Sequence, residues 1–82
     1  MNYLLFTTTQ CPKCPMFKDF VEKNISFPGK IIDQNDESFS RLSLEFSVSS
    51  VPTLIIFEDE SMEGALLRTS EITEIYDFIQ SH

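Results

Sequence analysis

The chain contains no tryptophan, only two glycines and a single histidine, His82, at its C-terminal end. With one histidine and two cysteines, Cys11 and Cys14, one copy falls short of the four Cys or His ligands that a structural zinc site normally needs. His82 is terminal and is expected to fray and to take no catalytic part. Two cysteines also allow no more than one bridge, whereas secreted domains of this size often rely on several. No apolar run approaches the length that crosses a bilayer. Positive charge is scarce. Six Lys and Arg against thirteen Asp and Glu leave a formal net charge of -7, which repels nucleic acid and anionic membranes, so neither is expected as a partner. The acidic residues fall in Asp33–Glu37, Glu58–Glu63 and Glu71–Asp77. None of these runs is long enough to suggest a disordered tail. They serve solubility, or they face a partner whose docking surface is basic. Met1 leads directly into an apolar run with no basic n-region and no cleavage-site pattern, which makes the cytoplasm the expected compartment.

The residues present suffice for one compact core. Hydrophobic residues make up 41% of the 82, eight of them phenylalanine, and nothing in the sequence resembles a repeat or a linker. The expectation is therefore a single domain over residues 1–82. Tyr3-Leu4-Leu5-Phe6 reads as a buried strand. Met16, Phe17, Phe20 and Val21 share one helical face, giving a helix from about Cys14 to Asn24. After the turn signal Pro28-Gly29, Lys30-Ile31-Ile32-Asp33 reads as a second strand. It is expected to run parallel to the first, because a helix connects them. Phe39, Leu42 and Phe46 recur at helical spacing. Thr53-Leu54-Ile55-Ile56-Phe57 is the strongest strand, and Ala65-Leu66-Leu67-Arg68 reads as its antiparallel neighbour across a short charged loop. Ser70 is a candidate N-cap for a last helix with the stripe Ile72, Ile75, Tyr76 and Ile79. The fold class is α/β, with a four-stranded mixed sheet flanked by three helices in the order β-α-β-α-β-β-α.

Cys11 and Cys14 stand in Thr9-Gln10-Cys11-Pro12-Lys13-Cys14-Pro15, between the first strand and the first helix. A Cys-x-x-Cys pair at such a junction is the sequence signature of reversible thiol–disulfide chemistry. That chemistry needs a thiolate, and a helix N-terminus supplies unpaired N–H groups and partial positive charge that favour one. Cys11, at or just before the helix start, is assigned as the nucleophile. Cys14, further in and more buried, is assigned as the resolving thiol. Lys13 adds positive charge, Pro12 stiffens the loop, and Pro15 falls where a first-turn proline is tolerated. A purely structural bridge is a poor alternative, since so short a loop constrains the unfolded chain little. A metal or iron–sulfur cluster shared between two chains through Cys11 stays open.

A second motif, Ser49-Ser50-Val51-Pro52-Thr53, precedes the strongest strand. Proline cannot join a strand ladder, and a cis Val51–Pro52 peptide is one way to place it there. Together with Cys11-Pro12-Lys13-Cys14 and the element order, this run resembles the thioredoxin superfamily, and in particular small glutaredoxins and glutaredoxin-like redoxins. The resemblance spans nearly the whole chain. It implies a thioredoxin-like fold, an exposed nucleophile at Cys11, a resolving Cys14 and a cis Pro52 packed against the pair. It also implies that the Val51 backbone hydrogen-bonds an incoming substrate in strand fashion, with Thr9, Gln10, Pro12 and Lys13 around the same groove.

Departures from the pattern refine the expectation. Thioredoxins usually carry tryptophan where this chain has Gln10, and a buried carboxylate where it has Leu5. Glutathione-using glutaredoxins usually carry a basic residue where this chain has Thr8. They also have a Gly-Gly pair where it has Leu67-Arg68-Thr69-Ser70. Arg41 and Arg68 are the candidate substitutes for glutathione contacts. The expected function is a dithiol–disulfide oxidoreductase that donates electrons to a disulfide-containing client protein, such as ribonucleotide reductase. A thioredoxin reductase-like enzyme or a low-molecular-weight thiol would recharge it. No cofactor is expected beyond the redox-active Cys11–Cys14 disulfide. The alternatives are a glutathione-dependent glutaredoxin and an iron–sulfur or metal-binding redoxin. A monomer is expected, because the elements cover one another's apolar faces.

Overall fold

The computed structural model describes residues 1–81; the expectation for His82 lies outside the described residues. Seven elements follow in the order β1 (Asn2–Thr7), α1 (Cys14–Asn24), β2 (Gly29–Asp33), α2 (Phe39–Glu45), β3 (Thr53–Phe57), β4 (Ala65–Thr69) and α3 (Ile72–Ser81). The strands form one sheet in the order β2-β1-β3-β4. β1 runs parallel to β2 and antiparallel to β3, and β3 runs antiparallel to β4. This is the mixed α/β architecture that the sequence predicts, with every element in place.

The two central strands read as unbroken apolar runs because both of their faces are covered. On one face, Tyr3 and Leu5 of β1 and Leu54 and Ile56 of β3 pack with Phe17 and Val21 of α1 and Ile75 and Phe78 of α3. On the other face, Leu4, Phe6, Ile55 and Phe57 are covered by Phe39 and Leu42 of α2 and by Phe46, which caps it. Ring contacts Phe6–Phe39 and Phe46–Phe57, at centroid distances of 6.2 and 5.4 Å, lock α2 down.

The buried stripes are centred differently from the sequence expectation in two helices. In α1 the buried face is Cys14, Phe17 and Val21, and Met16, one position round from Phe17, is 70% exposed. In α3 the buried pair is Ile75 and Phe78, while Tyr76 points outward. Ser70 does not cap α3. Its hydroxyl lies 3.5 Å from that of Thr53, and Thr69 instead accepts the Glu71 N–H through Oγ1 and donates to the Glu74 carboxylate. A hydroxyl at the end of β4 thus reaches the helix start that Ser70 passes by.

Gly29 does more than mark a turn. It pairs in register with Tyr3, and a Cβ built on it would lie 2.1 Å from the Tyr3 ring. The ring lies over β2 and meets Phe27 edge-on at 6.1 Å.

Candidate functional site: the Cys11–Cys14 loop and the Val51–Pro52 turn

β1 and β3 are antiparallel, with Phe6 paired to Thr53, so the end of β1 and the beginning of β3 lie side by side. The chain leaving β1 enters the cysteine loop, and the chain entering β3 comes through Val51 and Pro52. The topology therefore brings the two sequence motifs together at one end of the central strands. Thr8 and Val51 line a common hollow of about 260 Å³ together with Phe39, Ser43 and Val48.

Cys11 and Cys14 are bonded to each other, with Cα atoms 5.3 Å apart, inside the range such bridges adopt. Cys14 is the first residue of α1 and is buried, 3% exposed; Cys11 precedes the N-cap, Lys13, and is partly exposed. The loop is tied by hydrogen bonds from the Cys14 N–H to the Cys11 carbonyl and from the Cys11 N–H to the Thr8 carbonyl, both 3.4 Å. Lys13 makes no side-chain cap, Pro15 in the first turn has no N–H to offer, and no acidic residue stands in that turn. The head of α1 thus keeps its partial positive charge unopposed beside the sulfurs. Thr9, Gln10, Pro12 and Lys13 are all exposed around the pair.

The Val51–Pro52 peptide is cis, as the resemblance implies. Pro52 is buried and Val51 half-buried. Thr53 braces this turn by donating from Oγ1 to the Ser50 carbonyl at 2.7 Å. Leu5, two residues before Thr7 on the α1 face, is fully buried among apolar side chains, so β1 brings no acid under the pair. Among the described residues, no three His, Cys, Asp or Glu side chains group as metal ligands would.

Three contributions escaped the sequence reading. Gln34, just after β2, donates from Nε2 to the Thr9 hydroxyl at 2.9 Å and anchors the cysteine loop to the next connection. Its role depends on tertiary placement and leaves no local signal. Thr53 belongs to the second motif, but its hydroxyl bond to the Ser50 carbonyl is not legible there. Lys18 shares a hollow of about 230 Å³ with Thr7, Thr8, Thr9, Cys14 and Pro15. Its spacing of four from Cys14 was the signal available. Of the two arginines weighed as glutathione contacts, Arg68 is engaged and Arg41 has only a distant exposed partner. Arg68 donates to the Phe46 carbonyl and, at 2.6 Å, to that of Ser47, while Arg41 lies 3.9 Å from Glu45. A larger hollow of about 530 Å³ lies under α2, on the sheet face away from α1, and includes neither cysteine.

A bonded Cys-x-x-Cys pair at the head of the first helix, beside a cis-proline turn on a β-α-β-α-β-β-α frame, defines a thioredoxin-fold redox protein. The family model for the thioredoxin domain matches residues 1–77, and the chain belongs to that family. Solved structures agree on the fold. Thioredoxin O2 of Arabidopsis thaliana in the oxidised state superposes with a TM-score of 0.77 at 16% identity, covering 98% of this chain and 72% of that one. Thioredoxin 1 of the thermophilic eubacterium Thermosipho africanus gives 0.66 at 22% identity, covering 99% and 89%. No curated protein matches the sequence. With the family model and the bonded pair together, the chain is a thiol–disulfide oxidoreductase.

Proposed function

We propose that the protein reduces disulfides of client proteins, with Cys11 as nucleophile and Cys14 as resolving thiol, acting as a single thioredoxin-like unit. The observation that carries this is the asymmetry of the pair: Cys11 is partly exposed ahead of the helix, while Cys14 is buried within it. In the reduced protein the Cys11 thiolate attacks a client disulfide, forming a mixed disulfide and releasing one client thiolate, which takes up a proton. The Cys14 thiolate then attacks the Cys11 sulfur, the Cys11–client bond breaks, and the second client thiolate leaves. Val51 offers main-chain hydrogen bonds to the client segment, and Thr9, Gln10, Pro12 and Lys13 rim its path. Met16, exposed two residues beyond Cys14, adds an apolar contact.

Protein clients are favoured over glutathione because Arg68 is engaged by main-chain carbonyls and neither it nor Arg41 lines the hollow beside Cys14. A reductase of the thioredoxin reductase type or a small thiol returns the electrons. An enzyme with a catalytic disulfide, such as ribonucleotide reductase, is the class of client in view, and the cytoplasm is the compartment in which such a cycle runs. The test is turnover of a protein disulfide by the single-cysteine variants. Cys11→Ser abolishes turnover. Cys14→Ser accumulates a mixed disulfide whose linkage maps to Cys11 by mass spectrometry. An active Cys11→Ser protein, or a trapped bond at Cys14 in the wild type, removes the assignment.

A further inference from the structure

The resolving step, on the reading above, asks a buried thiol to ionise. Cys14 is 3% exposed, and charging a group removed from water is costly unless an opposite charge or water stands beside it. The hollow against Cys14 supplies both. It is open to solvent, about 230 Å³ in volume, and its lining of Thr7, Thr8, Thr9, Cys14, Pro15 and Lys18 holds one charged residue. Lys18 follows Cys14 by four residues in α1. That spacing places the two side chains one above the other on the helix, with Cβ atoms about 5–6 Å apart. Among the described residues, Lys18 is in neither ion pair, those being Lys23–Asp19 and Arg41–Glu45.

No acidic residue lines the hollow; the acids nearby stand on the connection after β2, at the head of α3 and on α1. β1 and its loop present Leu5, Thr7, Thr8, Thr9 and Gln10, and the mouth of β3 presents Val51, Pro52 and Thr53. In the connection after β2, Gln34 bonds Thr9, Asp33 accepts the Asn35 N–H, and Asp36 accepts the Ser38 N–H; Glu37 is exposed. At the head of α3, Glu74 bonds Thr69 and Glu71 is exposed. On α1, Lys13 is the N-cap, Asp19 pairs with Lys23, and Glu22, four residues beyond Lys18 and in neither ion pair, lies outside the hollow as Lys13 does.

We propose that Lys18 is the charge partner of Cys14: its ammonium, one helical turn beyond the cysteine in a water-open hollow, stabilises the thiolate that releases the client. The proton of Cys14 passes to water in the hollow. The thiolate attacks the Cys11 sulfur, the Cys11–Cys14 bond forms, the Cys11–client bond breaks, and the client thiolate leaves. Lys18 keeps its proton throughout and touches neither client nor Cys11, so it is a positioning and electrostatic residue.

The proposal rests on the assignment of Cys11 and Cys14, and the experiment separates the two. The reduced protein is mixed with dithiodipyridine, an uncharged disulfide, and release of thiopyridone is followed by stopped-flow absorbance. Attack by Cys11 gives a first phase, and resolution by Cys14 gives a second. In Lys18→Met the first phase is unchanged, and the second slows about tenfold near neutral pH, the scale expected of one nearby charge. The pH profile of the second phase moves upward. At high pH the variant equals or slightly exceeds the wild type, because a less stabilised thiolate is the better nucleophile. Lys18→Arg restores the wild-type profile, and Lys23→Met changes nothing. An unshifted profile in Lys18→Met overturns the proposal. So does a loss that persists at high pH and that arginine does not rescue, since that marks packing. A second phase that survives Cys14→Ser, or a first phase that survives Cys11→Ser, removes the underlying assignment and the proposal with it.

Discussion

Tyr3 and Gly29 show how much one position can decide. A methyl group at Gly29 has no room while the Tyr3 ring lies over it. Gly29→Ala therefore displaces the ring and destabilises the fold by about 1–3 kcal/mol, the usual cost of overpacking; urea denaturation measures it, and an unchanged midpoint contradicts this account. The Tyr3 phenol is held above the ordinary tyrosine value, first by burial and then by the negative charge of Glu22. Between the ordinary value and the raised one, the unfolded chain has lost a proton that the native protein still holds. Stability therefore falls as pH rises through that alkaline window and is unaffected by this group below it. Tyr3→Phe should flatten the alkaline limb in denaturation curves taken across pH; an identical limb in the variant contradicts the attribution. At this scale the sequence named Cys11, Cys14 and Pro52 because each belongs to a local motif. It passed over Gln34 and Lys18, whose meaning comes from what the fold brings beside them. Met16 and Tyr76 were misplaced because a helical stripe fixes a face only to within one residue.

α2 ends in a hydrogen-bond pattern whose usual residue is missing. The Val48 N–H bonds the Ser43 carbonyl at 2.7 Å and the Ser47 N–H bonds that of Leu44 at 3.3 Å, with Ser47 at φ 55°. This is a Schellman ending, with serine in the left-handed position that glycine normally fills. Ser47→Gly should stabilise the protein by up to about 1 kcal/mol, by removing the Cβ penalty there. Thermal denaturation checks this, and a lower melting temperature counts against it. Arg68, reaching from β4 to the carbonyls of Phe46 and Ser47, holds the same ending. Its truncation to alanine should cost about 1 kcal/mol, the net worth of an ordinary hydrogen bond, since the site is exposed; unchanged stability would show the bonds to be idle. Every element was legible in the sequence, since β1 and β3 are unbroken apolar runs and the helices have clear stripes. Their ends were less so. β1, β2 and β4 run one residue or more beyond the apolar core of each run, and the start of α3 is set by Thr69, not Ser70. Strand ends are fixed by pairing partners, which a local pattern does not contain.

For the molecule as a whole, the charge is lopsided. The net charge is -7, yet the first turn of α1 carries no acid and Lys13 and Lys18 flank Cys14. Long-range attraction should therefore favour basic clients. Reduction of a basic protein disulfide should be fast at low ionic strength and slow as salt screens the field, while a small neutral disulfide shows no such dependence. Equal salt responses would remove charge from the account of client choice. The overall order and topology followed from the sequence because two motifs and seven elements agree with one another. The meeting of the Cys11–Cys14 loop with the Val51–Pro52 turn followed only from the antiparallel pairing of β1 with β3. The proposed function requires that the Cys11–Cys14 bond open and close in use. Equilibration of the protein in defined thiol buffers measures this directly. The predicted result is one reversible two-electron couple between about −270 and −200 mV, the range spanned by thioredoxin and glutaredoxins. A bond that resists reduction below about −300 mV, as structural disulfides do, or the lack of any reversible couple, would contradict it.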